Sequence, residues 1–103
     1  MEKKRPHYPL GRFLTAFASV HTLNVTGSAL KGAQLLGISK QQIVDVIQTV
    51  EHSHFFKSMT SHSDPRLWQD VYYVAYRKLD IYLKFTLEHD GSELLISFKE
   101  NLP

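Results

Sequence analysis

Between Phe55 and Tyr72 the chain reads FFKSMTSHSDPRLWQDVY, a span that gathers Phe55, Phe56, Lys57, His62, Arg66, Trp68 and Gln69. Aromatic faces stack on bases, cations meet phosphates and amides read base edges, so this mixture suits a nucleic acid. The same residue types also build an ordinary sheet, and composition alone does not separate the two.

Other chemistries fit the residues less well. The carboxylates Asp45, Glu51, Asp64, Asp70, Asp80 and Glu100 are dispersed, while Glu88, Asp90 and Glu93 gather around a turn where solubility accounts for them. A two-metal nuclease needs a convergent acidic set. His52 and His54 form an H-x-H pair, yet neither His62 nor His89 completes a known zinc spacing. Ser61, His62 and Asp64 lie too close along the chain to face one another as a hydrolase triad, and no nucleophile elbow surrounds them. What remains is chemistry by lysine, tyrosine, glutamine and histidine, with no metal or cofactor called for. For RNA that is sufficient, because the 2′-hydroxyl is itself the nucleophile. The protein must take its proton, stabilise the added charge on the phosphorane and protonate the departing 5′ oxygen.

A chain of 103 residues forms one domain with a single core. Its formal net charge of +2 produces only a small global field, so a polyanion site must be a local patch. Cysteine is absent, which removes disulfides and thiolate metal sites and fits a cytoplasmic protein. Lys3, Lys4 and Arg5 followed by Ala16-Phe17-Ala18 imitate a secretory signal, but Gly11 and Arg12 interrupt the apolar run between them. No membrane span is expected either.

The elements that must position these side chains follow from periodicity. Pro6 and Pro9 make Met1 to Pro9 an extended lead-in. Leu10, Phe13, Leu14 and Phe17 then form one face of a helix, and Leu23-Asn24-Val25 is a short strand, suited to an edge. Thr26 or Ser28 caps a second helix that Gly37 ends, and Ser39 with Gln42 makes a capping box for a third helix with Ile43, Val46, Ile47 and Val50 on its apolar face. Ala33, Gly37 and Ile43 also have the spacing of a helix-turn-helix. This sets an alternative reading: a non-catalytic regulator that binds DNA through the pair at about residues 28–50, with Lys40, Gln41 and Gln48 as base readers. The outward face is not strongly basic, which favours a plain helical hairpin.

From Phe55 the period changes to alternation. Strands are expected at Phe55 to Met59 and Trp68 to Tyr76, a loop at Ser61 to Arg66, a tight connection at Arg77 to Asp80, and then a hairpin of Ile81 to Leu87 and Leu94 to Phe98 around Asp90-Gly91. A two-residue turn there pairs Leu87 with Leu94, Phe85 with Ile96 and Leu83 with Phe98 on the core face. On the opposite face it sets Tyr82 against Lys99 and Lys84 against Ser97. The expected fold is α+β, with N-terminal helices on one face of a mainly antiparallel four-stranded C-terminal sheet. The other face is free for a ligand.

The opening Met1 to His7, Ser28-Ala29-Leu30 and Leu36-Gly37 are joined by Phe56-Lys57-Ser58-Met59-Thr60, Ser63-Asp64, Trp68-Gln69-Asp70-Val71-Tyr72, Tyr82-Leu83-Lys84 and Ser97-Phe98-Lys99-Glu100. In this combination and order the chain resembles, nearly end to end, the motility quorum-sensing regulator toxins, RelE-like messenger-RNA endoribonucleases. The resemblance implies one RelE-like toxin domain over residues 1–103, belonging to a type II toxin-antitoxin system. It implies cleavage of messenger RNA at GCU-like sequences, without the ribosome or a metal, and a block of translation. It also implies an MqsA-like antitoxin with a zinc-binding part and a helix-turn-helix part, so that promoter DNA is met only through that partner. The family's catalytic residues match Lys57, Gln69 and Tyr82, with Lys99, Lys84, His62 and Met59 as RNA or phosphate contacts. Lys57 and Lys99 would stabilise charge, Tyr82 would transfer or position a proton, Gln69 would hold RNA, and Trp68 would pack the sheet. His62 stands where a relative in the family carries tyrosine, and the segment offers less arginine than many RelE-like enzymes.

Overall fold

Ser39 opens the most fully capped helix of the chain. In the computed structural model, which describes all residues Met1–Pro103, its hydroxyl accepts Gln42 N at 3.1 Å while Gln42 Oε1 accepts Ser39 N at 2.8 Å. That box satisfies two of the donors a helix start leaves open. The element order is β1 (Glu2–Lys3), α1 (Leu10–Ala16), α2 (Gly27–Leu35), α3 (Lys40–Gln48), a 3₁₀ turn (His52–His54), β2 (Phe55–Thr60), β3 (Trp68–Tyr76), β4 (Leu79–Leu87) and β5 (Glu93–Glu100). The strands form one antiparallel sheet in sequence order. Phe13 of α1, Phe17 at its C-cap, Ala33 of α2 and Ile43 and Ile47 of α3 pack with Tyr72, Leu83, Phe85, Leu95 and Phe98 of the sheet. Phe13 stacks on Phe85 with centroids 4.6 Å apart.

The α+β class is as expected, but the sheet has a fifth strand. The lead-in contributes β1, with Glu2 opposite Met59 and Lys3 opposite Ser58. It is held down by Asp70, a fully buried carboxylate that accepts His7 N at 3.0 Å, Tyr8 N at 2.9 Å and Ser58 Oγ at 2.6 Å. The β3–β4 connection is shorter than Arg77 to Asp80. Only Arg77 and Lys78 lie outside the strands, with Arg77 at φ 57°, and pairing resumes at Leu79.

The β4–β5 register divides into two halves. Tyr82 pairs with Lys99, Leu83 with Phe98 and Lys84 with Ser97, as the alternation predicts. Beyond a bulge the pairing slips by one, so that Phe85 faces Leu95, Thr86 faces Leu94 and Leu87 faces Glu93. Ile96 is the extra residue, and Leu95 rather than Ile96 enters the core. The cause lies far along the chain. Thr26 N donates to Leu95 O at 3.1 Å and Thr26 Oγ1 donates to Ile96 O at 3.2 Å, while the same Oγ1 accepts Ala29 N at 3.1 Å. Thr26, not Ser28, is therefore the cap of α2, and it fastens the bulge with the same hydroxyl. Next to it the expected short strand is reduced to one parallel bridge, Val25 to Leu95.

Candidate active site

The helices cover one side of the sheet, and the other carries the predicted chemistry in cross-strand rows. One row is Tyr73, Tyr82 and Lys99; the next is Lys57, Val71, Lys84 and Ser97; a third begins with Met59 and Gln69. A second bulge, at Phe56, breaks the alternation of β2 and brings Phe56 and Lys57 to this same side. Phe56 stacks on Tyr73 at 4.5 Å and Tyr73 leans on Tyr82 at 5.8 Å, which makes a continuous aromatic strip. Phe55 turns the other way and meets Tyr72 edge-on.

Cations ring the strip. Lys99 Nζ lies 4.9 Å and Lys84 Nζ 5.8 Å from the Tyr82 ring centroid, and Lys57 Nζ lies 5.5 Å from that of Phe56. Their electrostatics differ. Lys57 holds its proton more tightly than an ordinary lysine, chiefly through its hydrogen bond to Glu2 at 2.8 Å. Lys84 holds its proton less tightly, first because it is half-buried and then because Lys99 and Lys57 repel its charge. Burial raises the Tyr82 phenol, with Tyr73 adding to the shift and Lys57 opposing it. The face thus presents a cation held by a carboxylate, a lysine whose charge is weakened by burial and by its cationic neighbours, and a phenol that keeps its proton.

The remaining predicted residues separate. Gln69 and Met59 face each other one row from Lys57. His62 is exposed in the β2–β3 loop, away from the aromatic strip. Trp68 lies at the start of β3, stacked on His7 at 5.1 Å and capped by Lys3 Nζ at 4.2 Å, so its ring packs against the lead-in. The helix pair is built for support: Gln48 Nε2 donates to the Leu14 and Phe17 carbonyls at 2.8 and 3.1 Å, closing the end of α1. Gln41 donates to Asp45 on its own helix. The DNA-reading alternative thereby loses Gln48 to the fold. His54, of the H-x-H pair, accepts Glu51 N through Nδ1 at 2.9 Å.

Residues 5–100 match the family model described as motility quorum-sensing regulator, toxin of MqsA. The chain belongs to that family. It is 39% identical over 100 residues to the mRNA interferase toxin MqsR of Escherichia coli strain K12, covering 97% of this chain and 99% of that protein.

Within this toxin fold, sequence reasoning missed two contributors. Glu2 reaches Lys57 from β1, and Tyr73 joins the expected Phe56 to Tyr82 in the aromatic strip. Phe56 is 39% exposed, one of the few large apolar side chains left in solvent. A two-residue strand carries no sequence signal. No helix is long and apolar enough to cross a membrane.

Proposed function

We propose that the free face of the sheet is where this toxin cuts messenger RNA, with Lys57, Tyr82, Lys84 and Lys99 around the scissile phosphate and Gln69 holding the strand. The observation that carries this reading is the Tyr82–Lys99 pair, set beside Lys57 and Lys84 on a side of the sheet that no helix covers. A protonated phenol among ammonium groups suits a phosphorane, whose added negative charge needs fixed donors.

The step balances without a metal. Lys84, having first released its own proton to solvent, takes the 2′-hydroxyl proton, the 2′ oxygen bonds to phosphorus, and the bond to the 5′ oxygen breaks. That oxygen leaves with the Tyr82 proton, and Lys84 returns a proton to Tyr82 through solvent. The products are a 2′,3′-cyclic phosphate and a 5′-hydroxyl. Lys57 and Lys99, whose roles are electrostatic, stay charged throughout. Phe56 and Tyr73 offer flat faces on which adjoining bases stack. Cleavage then requires neither ribosome nor metal, and the preferred sequence is GCU-like. The substrate places the protein in the cytoplasm. The partner is an MqsA-like antitoxin with a zinc-binding part and a helix-turn-helix part, through which alone the toxin meets promoter DNA.

A defined RNA incubated in EDTA without ribosomes tests this. Wild type is expected to cut at one short motif and leave cyclic phosphate ends, while folded Lys57→Ala and Tyr82→Phe variants lose about 100-fold or more in rate. Intact RNA with wild type, together with a shift of promoter DNA by the toxin alone, would transfer the function to the helix pair.

A further inference from the structure

The β3–β4 ladder stops short. Its last pair is Asp70 with Phe85, yet β3 goes on pairing with β2 through Gln69 and Trp68, and β4 goes on pairing with β5 through Thr86 and Leu87. The sheet therefore forks. The Trp68 carbonyl, stranded at the branch, accepts the Thr86 hydroxyl at 2.8 Å and the Tyr8 hydroxyl at 3.1 Å. A groove of about 540 Å³ occupies the fork, lined among others by Arg66, Gln69, Thr86, His89, Leu94 and Ile96.

We infer that this groove is a nucleobase subsite that selects the base next to the cleaved bond. The inference rests on the free face being the cleavage site. Three observations carry it. The groove adjoins the cations: Thr86 lies two residues beyond Lys84 on β4, about 7 Å along the strand, and Gln69 two residues before Val71, which stands between Lys57 and Lys84. Its lining matches a base in kind, since Leu94 and Ile96 give an apolar wall for a ring face while Arg66 and His89 bring a planar cation and an aromatic ring to the same groove. Finally, the Gln69 carboxamide is uncommitted, because that residue's bond to Ser58 runs through its backbone carbonyl. An amide offers a donor and an acceptor side by side, as a base edge requires.

The acidic groups of the groove are already engaged. Asp64 binds Arg66 at 3.2 Å, and Glu88 Oε2 accepts Ser92 Oγ at 3.0 Å and Asn24 Nδ2 at 3.3 Å. They hold the two loops at the rim and do not converge on a cation. The bulge at Ile96 is explained by the same reading: it places Ile96 in the groove while leaving Ser97 in the row of Lys84.

Wild type and the Arg66→Ala, His89→Ala and Leu94→Trp variants should digest one pool of random-sequence single-stranded RNA, with the cut ends sequenced. Relative preference within a digest does not depend on total rate. The expected result is a fall of about 5- to 100-fold in preference at a single position beside the cut, with preference at other positions retained. Leu94→Trp fills the groove and its fold is checked by melting; the other two change rim residues that the core does not need. Unchanged preference at every position in the folded variants, or a loss of rate alone, overturns the subsite and leaves the ribonuclease standing. Wild type that cuts nothing overturns both.

Discussion

The Glu2 carboxylate lies 2.8 Å from Lys57 Nζ, so a central cation of the free face is already paired in the unbound toxin. A phosphate reaching Lys57 must displace an acid from the chain's own first strand. The pair also shifts both partners: Glu2 is lowered and Lys57 raised, each first of all by their mutual hydrogen bond. Lys57 therefore stays charged through neutral pH, and on the proposed reading the carboxylate competes with substrate without altering that charge.

Replacing Glu2 by Gln should accordingly strengthen RNA binding more than it changes turnover. Removing one competing charge at a partly exposed site alters affinity by a few-fold. The expected outcome is a KM lowered roughly 2- to 5-fold with kcat within about twofold, measured on one short RNA at constant salt. A fall in kcat at unchanged KM would instead make Glu2 a positioning group for Lys57.

Asp70 predicts where stability is concentrated. Its buried carboxylate accepts two backbone N–H groups of the lead-in and the Ser58 hydroxyl. Asp70→Asn turns one acceptor oxygen into a donor that faces donors, and the lost charged hydrogen bonds cost about 3 kcal/mol or more. Because the same contacts dock β1, the variant should also free Lys57 from Glu2. Faster exchange of the His7 and Tyr8 amides, beyond what the lower melting temperature explains, would show the lead-in detaching.

The half of the hairpin that pairs Tyr82 with Lys99 was legible because its evidence is local and two-sided. Leu83 and Phe98 must share the core, and once they pair, Tyr82 and Lys99 have to meet on the other face. The distal half was not legible. Leu94, Leu95 and Ile96 are all apolar, so alternation cannot tell which is extra, and the deciding bonds come from Thr26. The same ambiguity hides the bulge at Phe56, where two aromatic residues adjoin. Lys57, Gln69 and Tyr82 were named through their motifs, whereas Glu2 and the fork arise from contacts between distant segments that no periodicity records.

Gly32 tests how closely the helix layer sets β5. A Cβ at this position would collide with the Phe98 carbonyl oxygen, a backbone atom that cannot swing aside. Gly32→Ala must push α2 away from β5, and such overpacking costs about 1–3 kcal/mol or more. The melting temperature should fall by roughly 4–8 °C for each kcal/mol in a domain of this size. Since Lys99 follows Phe98 directly, a folded Gly32→Ala protein should also lose activity. A stable variant with unaltered melting would show that α2 rides more loosely on the sheet.

Lys84 carries the sharpest pH prediction, because its burial and its neighbours act in one direction. Lys99 and Lys57 add to desolvation in lowering its proton affinity below that of an ordinary lysine. In the folded state the charged form is the costly one, so that cost is present at neutral pH and disappears as pH rises from the folded value towards the ordinary lysine value near ~10.4. Lys84→Met removes the charge while keeping an apolar stem of similar reach. It should melt higher than wild type at pH 7, with the difference shrinking as pH rises through that window. The same substitution should cost about 100-fold or more in cleavage rate and abolish the rise of rate with pH that a lysine base confers. A variant that melts lower at pH 7 would contradict the desolvation argument, and one that keeps the wild-type pH profile would remove Lys84 as the base while leaving its neighbours' electrostatic role intact. Stability gained together with activity lost would mean that the sheet tolerates a poorly solvated ammonium because the reaction needs its neutral form.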